Sequence, residues 1–136
     1  MKTIWLVVPC YNEEEVLPET SKQLKNVMSS MIENGKISPE SKIAFVNDGS
    51  KDNTWNIIST LCTGDGIFAG INLSRNKGHQ NALLAGLMTA KKYADAVISL
   101  DADLQDDVNA IEKMVDNFIA GDDIVYGVRS SRKKDT

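Results

Sequence analysis

Cysteine is scarce in this 136-residue sequence, with only Cys10 and Cys62. They form no CxxC pair and no zinc-type spacing, and two isolated thiols suit a reducing compartment. Each reads as a small buried apolar residue rather than a reactive one. A basic excess is also missing: Lys and Arg number 15 against 19 Asp and Glu, a formal net charge of −4. That argues against a broad nucleic-acid footprint. Any anionic ligand must then be met by local groups or by a metal. No apolar run approaches the ~18 residues that mark a transmembrane segment. The opening MKTIWLVVPC has a short apolar run followed at once by NEEE, with no small-residue cleavage site, so it reads as a first strand and not a signal peptide. Internal repeats and low-complexity segments are absent. What remains is ordinary for a soluble globular domain: 42% hydrophobic and 25% charged residues. The length suits one domain spanning residues 1–136. A chain of this size buries roughly two-thirds of its unfolded surface and needs no disulfide or metal to hold a core.

Hydrophobic spacing predicts nine elements. The run TIWLVVP (residues 3–9) suits a strand buried on both faces. Val16, Thr20, Leu24, Val27, Met28, Met31 and Ile32 recur at helical spacing, and Gly35 falls just past the last turn. KIAFVN (42–47) is a second strand, and Trp55, Ile58, Leu61 and Cys62 mark a short helix. IFAGINL (67–73) is a third strand. Leu83, Leu87, Ala90 and Ala94 trace one face of a helix, with Leu84 and Met88 beside it. AVISL (96–100), a helix through Val108, Ile111, Val115, Phe118 and Ile119, and DIVYGV (123–128) complete the order. Apolar strands alternating with amphipathic helices predict an α/β fold, a Rossmann-like parallel sheet covered on both faces. Ligands in such sheets bind beyond the carboxyl ends of the strands, near a switch in strand order. The segments CYNEEE, DGSKDN, SRNKGHQN and DADLQDD should therefore share one edge.

Those segments carry suitable chemistry. If DADLQ is extended, Asp101, Asp103 and Gln105 point one way and Ala102 and Leu104 the other. Carboxylate and amide oxygens suit Mg²⁺ or Mn²⁺, and Mg²⁺ typically completes its shell with water and substrate phosphates. A divalent cation also relieves the repulsion between the two carboxylates. Asp106 and Asp107 read instead as a helix N-cap. Asp48 ends the second strand before Gly49, which permits a tight turn, and its carboxylate can accept from a ribose or a base N–H. Ser50, Asp52 and Asn53 read as turn and helix-start residues. Arg75 and Lys77 can meet phosphate oxygens near a helix N-terminus, or can simply be solvated. His79, the sole histidine, is open between a structural and a functional role. Pro9 fixes the chain direction and Tyr11 offers a flat face to a nucleobase. Glu13, Glu14 and Glu15 otherwise read as charges favouring a helix start.

Together, VVPCYNEEEVLP, VNDGSKDNT, LSRNKGHQNALLAGL, LDADLQD and GVRSSRKKD resemble the family 2 glycosyltransferases with a GT-A fold. The segments come in the family's order and cover almost the whole chain. DADLQ and the closing GVRxxR look most like the branch holding dolichyl-phosphate and polyprenyl-phosphate sugar transferases. The resemblance implies that Pro9, Tyr11, Glu13 and Asp48 line a nucleotide pocket, with Arg75 near the base or diphosphate. It implies that Asp101, Asp103 and Gln105 hold Mg²⁺ or Mn²⁺ against a UDP- or GDP-linked sugar, and that the reaction inverts the anomeric centre. Such proteins continue past VRSSRKKDT, so the chain reads as a donor-binding N-terminal portion. No general base is assignable. A lipid phosphate acceptor needs none, and Arg129 and Arg132 can hold that phosphate, unless RSSRKK is only a polar end. The expected location is cytoplasmic, with the parent protein at the cytoplasmic face of a membrane. Two alternatives stand: a donor-binding fragment without activity alone, and a haloacid-dehalogenase-type phosphatase, which also combines DxD with a later GDD, here at residues 121–123.

Overall fold

A computed structural model describes residues 1–104, 108–121 and 126–128. Its elements run β1 (Ile4–Cys10), α1 (Leu17–Glu33), β2 (Lys42–Asp48), α2 (Thr54–Gly64), β3 (Phe68–Leu73), α3 (His79–Ala90), β4 (Ala96–Ser99), α4 (Asn109–Ile119) and β5 (Tyr126–Val128). All strands are parallel, in the order β3-β2-β1-β4-β5. The chain steps outward from β1 to β3, then returns to the other side of β1 with β4. The switch in strand order thus lies between β1 and β4, where a crevice opens at the carboxyl edge.

Every residue of β1 is buried because the strand lies central in the sheet. Strand alternation sends Leu6, Val8 and Cys10 into one core and Trp5 and Val7 into the other. The first core is closed by α1, α2 and α4 through Leu17, Leu24, Met28, Ile58, Ile111 and Val115. The second is closed by α3.

β3 is an edge strand; Phe68 packs into the first core, and Ala69, Ile71 and Leu73 pack against the second. On α3 and just past its end, Leu83, Leu87, Ala90 and Ala94 face the second core as expected. Ala82, Gly86 and Ala90 are the helix's buried residues, Leu83 and Leu87 flank them, and Leu84 and Met88 are 53% and 62% exposed. Small residues take the centre because the helix lies directly on the sheet. A Cβ on Gly86 would sit 2.4 Å from Val7 Cγ1 and 3.0 Å from Val46 Cγ2.

Gly86→Ala is therefore expected to destabilise the fold despite a helix-propensity gain of about 1 kcal/mol. The clash is with stiff β-branched side chains on central strands, and overpacking of that kind costs about 1–3 kcal/mol. Val7→Ala makes room for the new methyl. Denaturant melts of both single variants and the double variant should show the double less destabilised than the two singles combined. Strict additivity would mean that the helix simply lifts off the sheet.

Candidate functional site

The ends of β1 and β2 and the segments after β1, β3 and β4 line one cleft of about 530 Å³. Pro9 and Cys10 reach it from the end of β1, Tyr11 and Glu13 from the loop that follows, and Asp48 from the end of β2. Asn76, Gly78, His79 and Ala82 contribute from the third loop and α3, and Asp101, Ala102 and Asp103 from the fourth. Strand direction explains the convergence, since parallel strands deliver every following loop to the same edge.

The first two loops are laced together. Asn12 adopts a left-handed φ of 53°, a region that Asn tolerates better than most residues. Its N–H donates to Ser50 Oγ at 2.9 Å, and its Oδ1 accepts the Lys51 N–H at 2.8 Å. Glu13 N–H donates to Thr54 Oγ1 at 2.8 Å. Glu14 N–H donates to Asp52 Oδ2 at 3.3 Å, and Glu14 Oε1 accepts the Asn53 N–H at 2.8 Å. Asp52 Oδ1 also takes the Thr54 N–H and hydroxyl, at 2.9 and 2.6 Å. Desolvation opposes the charge on Asp52, but the bonds from Thr54 and Glu14 prevail and hold its carboxyl below the usual range. Asp52 is thus a turn residue, as the sequence suggests. Glu14 is a clamp between loops, which no local pattern reveals.

Asp48 closes β2 and is 3% exposed. Its Oδ1 accepts the Lys77 N–H at 2.6 Å, which ties the second loop to the third. Gly49 has φ +67°, and a Cβ there would lie 2.2 Å from the Asn76 nitrogen and 2.3 Å from the Arg75 carbonyl carbon. Its role is therefore close backbone approach as well as turn conformation.

The acidic segment differs from the expected extended strand. Residues 101–104 form a turn in which Leu104 N–H donates to the Asp101 carbonyl at 3.2 Å, with Leu104 at φ 46°. Asp101 and Asp103 do share the cleft, but Ala102 lines it too. Leu104 packs against the first core. The aspartates converge by turn geometry, so the strand alternation that was to bring in Gln105 does not apply. Gln105, Asp106 and Asp107 lie outside the described residues, as do Arg129 and Arg132.

Glu13 shows the electrostatic result. Burial pushes its carboxyl pKa up, and Asp103, Asp52 and Asp101 push it further. The folded state therefore binds the Glu13 proton more tightly than the unfolded state does. Stability falls as pH rises between the unfolded and folded pKa values, and the full penalty applies above both. Glu13→Gln should be more stable than the parent at neutral pH. The gain should vanish below about pH 4, the ordinary carboxyl range. Thermal melts across pH test this, and a gain that persists at acid pH would point to packing instead of charge.

The same repulsion favours a divalent cation. Among the described residues, no three His, Cys, Asp or Glu side chains group closely enough to cage a metal. Asp101 and Asp103, both at the cleft, are oxygen donors of the kind that would suit Mg²⁺ or Mn²⁺ completed by water and a ligand's phosphates. Cys10 is unsuited to chemistry: burial and then Glu13 raise its thiol far above the ordinary value, so it stays protonated.

Pro9, Tyr11, Glu13, Asp48, Asp101 and Asp103 thus line one cleft. Arg75 is exposed and does not line the cleft, though its backbone packs on Gly49. Asn76, Gly78 and Ala82 were not singled out. Gly78, at φ 94°, caps α3 and places His79 at the helix start beside the cleft. Loop position alone gave a hint of this for His79.

The parallel sheet with its site at the carboxyl edge has the arrangement of a GT-A fold. Crystal structures of S. aureus TarS 1-349 share it at TM-score 0.60 and 19% identity, over 85% of this chain and 32% of that one. The mannosyltransferase PcManGT from Pyrobaculum calidifontis, in complex with GDP-Man and Mn²⁺, matches at TM-score 0.51 and 20% identity, over 75% and 28%. The chain belongs to glycosyl transferase family 2, whose family profile matches residues 5–136. The uncharacterized glycosyltransferase YkoT of Bacillus subtilis (strain 168) is 53% identical over 131 residues, covering 96% of this chain and 39% of that protein. The bactoprenol glucosyl transferase of Shigella phage SfV is 41% identical over 133 residues, covering 97% and 40%. The chain spans about two-fifths of the length of these relatives. The family match displaces the phosphatase alternative. No helix among the described residues is long and apolar enough to cross a membrane.

Proposed function

We propose that residues 1–136 are the donor-binding domain of a glycosyltransferase that moves a sugar from a nucleoside diphosphate to a polyprenyl phosphate. The observation that carries this reading is the convergence of the carboxyl-edge segments of β1 to β4 on one cleft, with Asp48 at the end of β2 and Asp101 and Asp103 in the turn after β4. Tyr11 offers a ring, 41% exposed, for the nucleobase to lie against. Asp48 spends Oδ1 on Lys77 N–H, which leaves its other oxygen for a ribose hydroxyl or a base N–H. The α3 N-terminus, with Gly78 and His79 at the cleft, favours negative charge on the diphosphate. Asp101 and Asp103, with Gln105, would hold Mg²⁺ or Mn²⁺, which supplies Lewis-acid stabilisation of the departing diphosphate. Arg75 is exposed and directly precedes Asn76 of the cleft lining, and a role at the diphosphate would need its side chain to reach into the cleft.

The polyprenyl acceptor is supported by the bactoprenol glucosyl transferase among the relatives. A lipid phosphate is already ionised, so attack on the anomeric carbon needs no general base. The reaction would be a single inverting displacement, with Arg129 and Arg132 holding the acceptor phosphate. The parent protein would then work at the cytoplasmic face of a membrane. A second reading has its own support: the chain covers two-fifths of its relatives, so it can bind donor without transferring sugar.

Calorimetric titration of UDP and GDP, with and without Mn²⁺, tests the shared core of both readings. Binding of one nucleotide that tightens with Mn²⁺ is expected. No binding of either nucleotide under any condition would overturn the donor site. Assay of sugar transfer to a short polyprenyl phosphate then separates the active domain from the binding-only one.

A further inference from the structure

The acidic turn is tied to a distant helix by a buried bond. Thr20 Oγ1 in α1 donates to the Ala102 carbonyl at 2.6 Å, across 82 residues of sequence. Thr20 is 3% exposed and Ala102 4%. Ala102 lies between Asp101 and Asp103, so its carbonyl sets the orientation of the peptide that joins them. The turn also holds Leu104 at a left-handed φ of 46°. That conformation is unfavourable for a residue other than glycine and persists only where surrounding contacts impose it. The other end of the linkage is equally anchored. Glu13 carbonyl accepts the Val16 and Leu17 N–H groups at 3.1 and 3.0 Å, so the first loop runs directly into α1. That loop is bonded to residues 50–54. One rigid path therefore joins the second loop, the first loop, the first turn of α1 and the acidic turn.

We propose that Thr20 is a positioning residue for the acidic turn, holding the Asp101–Asp103 peptide so that both carboxylates meet one cation and the donor diphosphate. The inference rests on the donor-site reading above. Thr20 touches neither nucleotide nor metal; it acts through the Ala102 carbonyl. Loss of its hydroxyl leaves a buried carbonyl without that donor and releases the turn from α1. The nucleoside side of the cleft, built from Tyr11 and Asp48, keeps its own supports.

Thr20→Val keeps the shape and removes the donor, and Thr20→Ser restores the donor with less bulk. Ser21→Ala is the control, because the equally buried Ser21 hydroxyl donates only to the local Pro18 carbonyl. UDP and GDP are titrated into each 136-residue variant with and without Mn²⁺, alongside metal-free thermal melts that confirm folding. Thr20→Val is expected to weaken Mn²⁺-dependent nucleotide affinity by about tenfold or more, the loss typical of an outer-shell support. Metal-free nucleotide affinity should be unchanged, and Ser21→Ala should match the parent. Thr20→Ser should recover most of the loss, and it carries the test if the valine variant fails to fold. Equal losses with and without metal, or Thr20→Val binding like the parent, would overturn the proposal. A parent chain that binds no nucleotide would instead remove the donor site itself, and this inference with it.

Discussion

Asp103→Asn is expected to lower Mn²⁺-dependent affinity for UDP or GDP by about a hundredfold, the upper end of what even outer-shell supports are worth. Asp103 and Asp101 reach the cleft from one four-residue turn and both raise the Glu13 pKa. Either carboxylate alone gives a divalent cation little hold. Asp101→Asn should therefore match Asp103→Asn, and the double variant should be hardly worse than either, as with groups that act as a unit. Removing a negative neighbour also relieves Glu13, so its carboxyl should titrate closer to the ordinary range in the metal-free variant, as NMR titration would show. Unchanged Mn²⁺ dependence in Asp103→Asn would remove that residue from the site.

Gly49→Ala is expected to be the most damaging small substitution in the chain. Its φ of +67° disfavours any residue with a Cβ, at about 1–2 kcal/mol. The new carbon would also meet backbone atoms of Arg75 and Asn76 at 2.3 and 2.2 Å. Backbone cannot turn aside as a side chain can, and overpacking typically adds about 1–3 kcal/mol. Destabilisation of roughly 3 kcal/mol or more follows, a large part of the ~5–15 kcal/mol that holds a domain. Function should fail with it, because relief means pushing the third loop outward. That movement breaks the Lys77 N–H bond to Asp48 and opens the cleft beside Gly78 and His79. Denaturant melts and metal-free nucleotide titration check both parts. A Gly49→Ala protein with parental stability would show that the loops separate freely.

Much of this architecture is legible in the sequence because its signals are local. β1 reads as buried because IWLVVPC is apolar on both alternating sets, and a central parallel strand requires that. The stripe of Leu83, Leu87, Ala90 and Ala94 on and just past α3 is legible too, but the contact at its centre is not. Leu84 and Met88 are apolar but exposed, whereas Gly86 is inconspicuous in sequence and lies at the contact with Val7 and Val46. Hydrophobicity counts bulk, and close helix-on-sheet contact selects for its absence. The site divides similarly. Asp48, Asp101 and Asp103 follow strands and are visible as charge at the end of apolar runs. Glu14 and Thr20 act through partners 39 and 82 residues away, and nothing in their own neighbourhoods points to those partners.

The amino-acid sequence by itself determined the alternation of strands and helices, and with it the edge that carries the loops. Parallel strands joined by helices can place their carboxyl ends nowhere else. Tertiary structure alone decided that β4 lies beside β1, which opens the crevice between Tyr11 and Asp101. It also decided that DADL folds as a turn, since the bend depends on the Thr20 hydroxyl and the Leu104 packing supplied from across the core. Periodicity reports what each segment buries, whereas the direction of a carboxylate is set by whatever distant backbone and side chains close around it.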